Sequence, residues 1–186
     1  MNQRNIDIVG CELVRVVANR DGRGCLHEIF RESWSEAFPT VQWNACSSAS
    51  NVVRGVHVHV DYDEFYTLPH GRVVLGLVDI RRESPSFRKS VQFEWSDKDG
   101  FAVVVPKGVA HVVMFVERSV LVFGLSDYWH AEYDILGCRW DDPELGFEWN
   151  CKEPVVSCRD SKSGTFQDML SNFEEASHSF AKSTRQ

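Results

Sequence analysis

His57-Val58-His59-Val60-Asp61-Tyr62-Asp63-Glu64, running on to Gly71, is the stretch that decides how this chain reads. It is answered further on by Gly100, then Pro106-Lys107-Gly108, then His111. Each block looks like a β-hairpin with polar or metal-ligating side chains at fixed places. In a strand, residues i and i+2 point to one face, so His57 and His59 are expected to aim both imidazoles at one point inside a barrel. Glu64 would enter from the next strand and His111 from a second hairpin. Three imidazole nitrogens and one carboxylate oxygen suit a first-row divalent metal, Fe, Mn, Ni or Zn, with positions left open for a substrate.

Working outward, apolar and β-branched runs recur at 12–17, 52–60, 73–80, 91–95, 101–105, 110–116 and 120–125. Turn signals separate them: Asp21-Gly22, Pro69-His70-Gly71, Asp97-Lys98-Asp99-Gly100 and Pro106-Lys107-Gly108. Short strands at this spacing predict an all-β sandwich or barrel. Two segments carry helical spacing instead: 29–38, with Phe30, Trp34 and Phe38 on one side, and 165–180, with Phe166, Met169, Leu170 and Phe173. The simplest division is one domain over 1–186, with a core at about 12–150 and a C-terminal extension over 151–186.

The 186 residues, 43% of them hydrophobic, can bury a sizeable core. A formal charge of −7 without a basic cluster argues against a nucleic-acid partner. No apolar run approaches the roughly 20 residues that span a bilayer, and the N-terminus has no signal-peptide pattern. A cytoplasmic protein without membrane attachment is expected. The six cysteines show no Cys-x-x-Cys pair, so free thiols are the default.

Several blocks, in a fixed order, resemble the dTDP-4-dehydrorhamnose 3,5-epimerase family. They are Asp21-Gly22-Arg23-Gly24 through Glu28-Ile29-Phe30; Gln42-Trp43-Asn44; Arg54-Gly55-Val56-His57; Asp79-Ile80-Arg81-Arg82; Pro106-Lys107-Gly108-Val109-Ala110-His111; Asp127-Tyr128; and Trp140-Asp141-Asp142-Pro143. The resemblance implies a cupin jelly roll, paired as a homodimer whose N-terminal residues complete the partner's site. It implies an isomerase-class enzyme acting on a nucleotide-linked 4-keto-6-deoxy sugar in polysaccharide or specialised-metabolite assembly. His57 would remove the proton beside the keto group and Asp142 would orient it. Arg23 and Arg54 would grip the nucleotide diphosphate, and Glu28, Gln42 and Asn44 would line the nucleotide and sugar pocket.

Two positions depart from the family pattern. The family's lysine, seven residues before the glycine that aligns with Gly71, is Glu64 here, and its proton-donating tyrosine aligns with Phe123. A carboxylate repels an enolate rather than stabilising it. The consistent reading is that Glu64 and His59 complete the metal pattern, so that a divalent ion polarises the carbonyl in the lysine's place. If His57 is itself a ligand, its lone pair is occupied and another group must take the proton. A metal-dependent cupin oxygenase or lyase, and a catalytically silent sugar-binding cupin, are the alternatives from other classes.

Overall fold

The computed structural model describes residues 6–31, 39–131, 136–151 and 153–183. The helix expected over 29–38 falls mostly outside them. Two antiparallel sheets face each other in a jelly roll. One has the strand order β1 (Glu12–Arg15), β9 (Phe101–Val105), β6 (Glu64–His70), β11 (Ser119–Leu125), β4 (Gln42–Ser48). The other runs β5 (Val52–His57), β10 (Val109–Phe115), β7 (Arg72–Asp79), β8 (Ser90–Ser96), and a separate hairpin is formed by β2 (Ala18–Asp21) and β3 (Gly24–His27). The turn-punctuated apolar runs predicted an all-β sandwich or barrel, and the order of non-neighbouring strands gives the jelly roll that the family resemblance implied.

Strand alternation explains the core. On β7, Val73, Leu75 and Leu77 point between the sheets, where they meet Leu68, Val103, Val105, Val113, Phe115 and Leu121. The opposite face of the same sheet is also buried. Val53, Val56, Val78, Ala110, Val112 and Met114 pack beneath Phe166, Met169, Leu170 and Phe173 of helix α1 (Phe166–Ser183). That cover is why Val109–Phe115 is almost uniformly apolar instead of alternating: a strand buried on both faces has no solvent side to keep polar. The helix expected over 165–180 is therefore present, and it holds the C-terminal extension against the barrel. Among the described residues, no helix is long and apolar enough to cross a membrane.

Strand β5 carries the irregularity that matters most. Val53 packs on the helix side, while Arg54 lines the interior. Strict alternation would then send His57 to Val53's side. The β5–β10 register shifts by one residue, from Val112↔Gly55 to His111↔His57, and Val56 is the extra residue. Such a bulge reverses the parity of every side chain after it, so His57 turns inward. Gly55 lets β10 come close at this point, since a Cβ there would sit 2.7 Å from the His111 carbonyl oxygen. The strand ends at His57, and residues 58–63 form a turn leading into β6.

Candidate active site

A cavity of about 540 Å³ opens between the sheets. Its walls carry Arg54 and His57 from β5, Glu64 and Tyr66 from β6, His111 and Val113 from β10, and Leu121 and Phe123 from β11. His59 reaches it from the segment after β5, and Val155, Val156, Ser157, Arg159 and Asp160 of the C-terminal extension close one side.

Two groups of side chains form inside. In the first, His57 Nε2 stands 2.9 Å from Asp160 Oδ1. A carboxylate accepts, so Nε2–H donates and Nδ1 keeps the lone pair. Burial pushes the Asp160 carboxyl upward, but the bonds to His57 and Ser157 and the backbone amide of Gly55 outweigh it, and the net position is below the ordinary carboxylate value. Asp160 therefore stays ionised behind the imidazole. This is the arrangement in which a carboxylate fixes the tautomer of a histidine and steadies its protonated form.

In the second group, Glu64 Oε2 accepts from Tyr66 Oη at 2.7 Å. The same oxygen lies 3.2 Å from His111 Nε2 and 3.7 Å from His59 Nε2. All three side chains are buried. Burial, followed by the neighbouring His57, pushes His111 down to about 3, and the Val109 backbone only partly opposes this. Burial, followed by the charges of His111, His57 and Arg159, pushes His59 well below its ordinary value. Both imidazoles are neutral near pH 7, so each offers a lone pair or a single N–H and neither forms an ion pair with Glu64. The Tyr62 ring stacks on His59 at 4.3 Å.

The expected four-ligand set is thus divided. His59, Glu64 and His111 bring donor atoms within 4.8 Å of one another, while His57 turns to Asp160. The i, i+2 argument for a shared focus fails because the strand stops at His57 and His59 is placed by the irregular segment that follows it. The carboxylate expected to orient His57 is also corrected. Asp142 Oδ1 accepts from the Glu144 amide and Oδ2 from the Phe166 amide. It caps the short 3-10 turn Pro143–Leu145 and ties that turn to the start of α1. Asp160 takes the orienting place, 103 residues from His57 in sequence. Nothing in Cys158-Arg159-Asp160-Ser161 marks it, and Arg159 beside it carries no sequence signal either, whereas Tyr66 is one of four tyrosines, with Tyr62, Tyr128 and Tyr133, that the sequence offers as a replacement acid.

The expected substrate contacts also divide. Arg54 lines the cavity, its Nε donating to Ser48 Oγ at 3.0 Å. Gln42 and Asn44 lie on the half-buried face of β4 that also presents Cys46 to the cavity, and Gln42 Nε2 donates to Asn44 Oδ1. Arg23 and Glu28 do not line it. Arg23 pairs with Asp21 on the exposed tip of the β2–β3 hairpin, and Glu28 just beyond that hairpin pairs with Arg31.

The profile of the family described as dTDP-4-dehydrorhamnose 3,5-epimerase matches residues 5–168. The dTDP-4-dehydrorhamnose 3,5-epimerase of Sinorhizobium fredii is 29% identical over 181 residues, covering 92% of each chain. A dTDP-6-deoxy-D-glucose-3,5-epimerase from Legionella pneumophila, solved in complex with dTDP-4-keto-L-rhamnose, superposes with a TM-score of 0.81 at 25% identity, over 91% of this chain and 94% of that one. A 3'-monoepimerase from Streptomyces bikiniensis in complex with dTDP-quinovose gives 0.78 at 26% identity, over 92% and 89%.

Proposed function

The chain belongs to the dTDP-4-dehydrorhamnose 3,5-epimerase family and is an enzyme of the isomerase class; from that premise we propose that it epimerises a dTDP-linked 4-keto-6-deoxy sugar with His57 as base. The observation that carries this is the 2.9 Å contact between His57 Nε2 and Asp160 Oδ1. The 4-keto group acidifies the neighbouring C–H. His57 Nδ1 takes that proton, the C–H electron pair moves into an enolate, and Asp160 balances the imidazolium. Return of a proton to the opposite face of the same carbon inverts it. Tyr66 is the hydroxyl placed for that return. It faces Phe123 across the β6–β11 register, with ring centroids 5.9 Å apart, so the phenol absent at 123 is supplied from the adjoining strand.

Arg54 and Arg159 both line the cavity and supply planar cations suited to diphosphate oxygens. Gln42 and Asn44 extend the polar wall on β4. Arg23 and Glu28, remote from this cavity, are assigned to the cavity of a second copy in a homodimer. In support, Leu26 between them is 70% exposed, and Val41, Trp43 and Trp129, whose amide donates to Gln42, are exposed as well. Sedimentation at the mass of one chain would remove that assignment. The six cysteines are all free thiols, which fits a single cupin domain working in the reducing cytoplasm.

The test is solvent exchange. Incubated in D2O with a dTDP-4-keto-6-deoxyhexose, the protein should place deuterium on carbon beside the keto group, read by mass spectrometry and NMR, and His57→Asn should abolish it. Undiminished exchange in His57→Asn sinks the reading. The same experiment separates the alternatives, because a silent sugar binder gives no exchange and an oxygenase consumes oxygen.

A further inference from the structure

We infer that His59, Glu64 and His111 form a binding site for one divalent first-row transition-metal ion, set in the cavity wall beside the His57–Asp160 pair and distinct from it. Two ligand atoms each about 2.1 Å from a cation, and 90–110° apart as seen from it, stand roughly 3.0–3.4 Å from each other. Glu64 Oε2 stands 3.2 Å from His111 Nε2 and 3.7 Å from His59 Nε2. All three donor atoms lie within 4.8 Å of one another, and side-chain rotation about the fixed backbone would draw them onto one ion.

The convergence is built by the fold. Glu64 is fixed at the start of β6 by pairing with both Leu125 and Val105. His111 is fixed in the middle of β10 by pairing with His57 on one side and Leu77 on the other. His59 is held by its carbonyl, which accepts from the Gly108 amide at 2.9 Å. Three separate segments therefore bring two imidazoles and a carboxylate to one buried point. Exposed acidic clusters arise easily, but a buried one must offset the cost of desolvating its charge. Outer contacts typical of metal ligands are also in place: Tyr66 Oη donates to Glu64, and Tyr62 stacks on His59, which limits how each ligand can turn.

Two nitrogens and one oxygen favour Fe2+, Mn2+, Ni2+ or Zn2+ over Ca2+ or Mg2+, which prefer all-oxygen sets. Three protein ligands leave positions for a carbonyl oxygen. Resting on the epimerase reading, the cation would reverse the sign of the field at that oxygen, where Glu64 alone opposes an enolate. Because His57 is not a ligand, its lone pair is available for the proton, and base and electrophile are divided between two neighbouring groups. The His57 and His111 ring centroids are 6.3 Å apart.

The test uses the whole chain stripped with a chelator and titrated with Mn2+, Ni2+, Zn2+ or, without oxygen, Fe2+, by calorimetry with elemental analysis of the product. One equivalent per chain is expected, with affinity lowered at least about 100-fold in Glu64→Gln and in His59→Gln, and unchanged in His57→Asn. Circular dichroism identifies any variant that has lost its fold, and the other ligand variant then decides. Substoichiometric binding by the wild type, or equal affinity in a folded Glu64→Gln, overturns the site. Deuterium exchange keeps the two proposals apart. Exchange by a chain that binds no metal removes the cation and leaves the epimerase. Full-rate exchange by the stripped chain, alongside tight binding, overturns the cation's electrophilic role. Metal binding without any exchange supports the site and removes the epimerase.

Discussion

Two buried carboxylates, Asp79 and Glu64, are almost equally hidden from water, at 0% and 4% exposure, yet their surroundings differ in kind. Asp79, at the end of β7, is surrounded by donors. Arg81 gives its backbone amide, Nε and Nη2, and Ser84 and Ser86 give their hydroxyls, all within 3.0 Å. The Arg81 guanidinium also reaches the Val9 carbonyl, tying the N-terminal segment to the same corner. Every one of these neighbours donates to the carboxylate, and the Ser86 hydroxyl in turn accepts from the Val9 amide, so the cluster is a latch. Glu64 instead meets two neutral imidazoles, each able to turn a lone pair toward a common point, and a phenol. A carboxylate saturated by fixed donors contributes stability, whereas one flanked by ambivalent nitrogens has chemistry left to offer. Asp160 belongs with Glu64 in this respect, since it faces an imidazole in the cavity.

The largest effect expected from this contrast is at Asp160. Asp160→Asn keeps the shape but removes the charge that fixes the His57 tautomer, and turnover should fall about 10³–10⁴-fold, with the thermal midpoint nearly unmoved. Initial-rate and melting measurements check this; a small rate loss would place Asp160 with the latch instead. Asp79→Ala should do the reverse. Stranding a half-buried guanidinium and two hydroxyls costs about 1–3 kcal/mol in denaturant titration, while the rate per folded molecule is retained.

The acid limb sharpens that prediction. Burial raises the Asp79 carboxyl, but the bonds from Arg81, Ser84 and Ser86 outweigh it and hold it below 3.8. A folded pKa below the unfolded one contributes stability that is fully present above the unfolded value. It is lost as pH falls from 3.8 through the folded value. Asp79→Asn should therefore flatten the stability–pH curve in that window alone. The smallest effect is at Tyr66. Tyr66→Phe should lose about 10²-fold in inversion while still exchanging deuterium at the carbon His57 attacks, because abstraction precedes the lost step. Equal loss of exchange and inversion would return Tyr66 to a purely structural place beside Glu64.

Much of this was legible beforehand, and for local reasons. The strand runs 73–80, 101–105, 110–116 and 120–125 carried β-branched residues between turn signals, and Phe166, Met169, Leu170 and Phe173 carried helical spacing. Strands β4 and β6 were not delimited, because Gln42–Ser48 mixes polar and apolar residues without a clean apolar face and Glu64–His70 contains a proline. At the site, His59, Glu64 and His111 were legible because their types and spacing carry a chemical meaning. Asp142 misled because Asp-Asp-Pro is a strong helical-turn opener, and it serves as one here, its carboxylate taken by the Glu144 and Phe166 amides.

What the sequence determined by itself was the alternation of strands, the apolar face of the final helix, and three histidines and a glutamate expected at one point. Only the tertiary structure decided which histidine stands apart. The bulge at Val56 reverses the side His57 takes, and the C-terminal extension carries Asp160 to meet it. The physical reason is that propensity and spacing act over a few residues, whereas a register shift and a contact across 103 residues exist only once sheets, helix and extension are packed together.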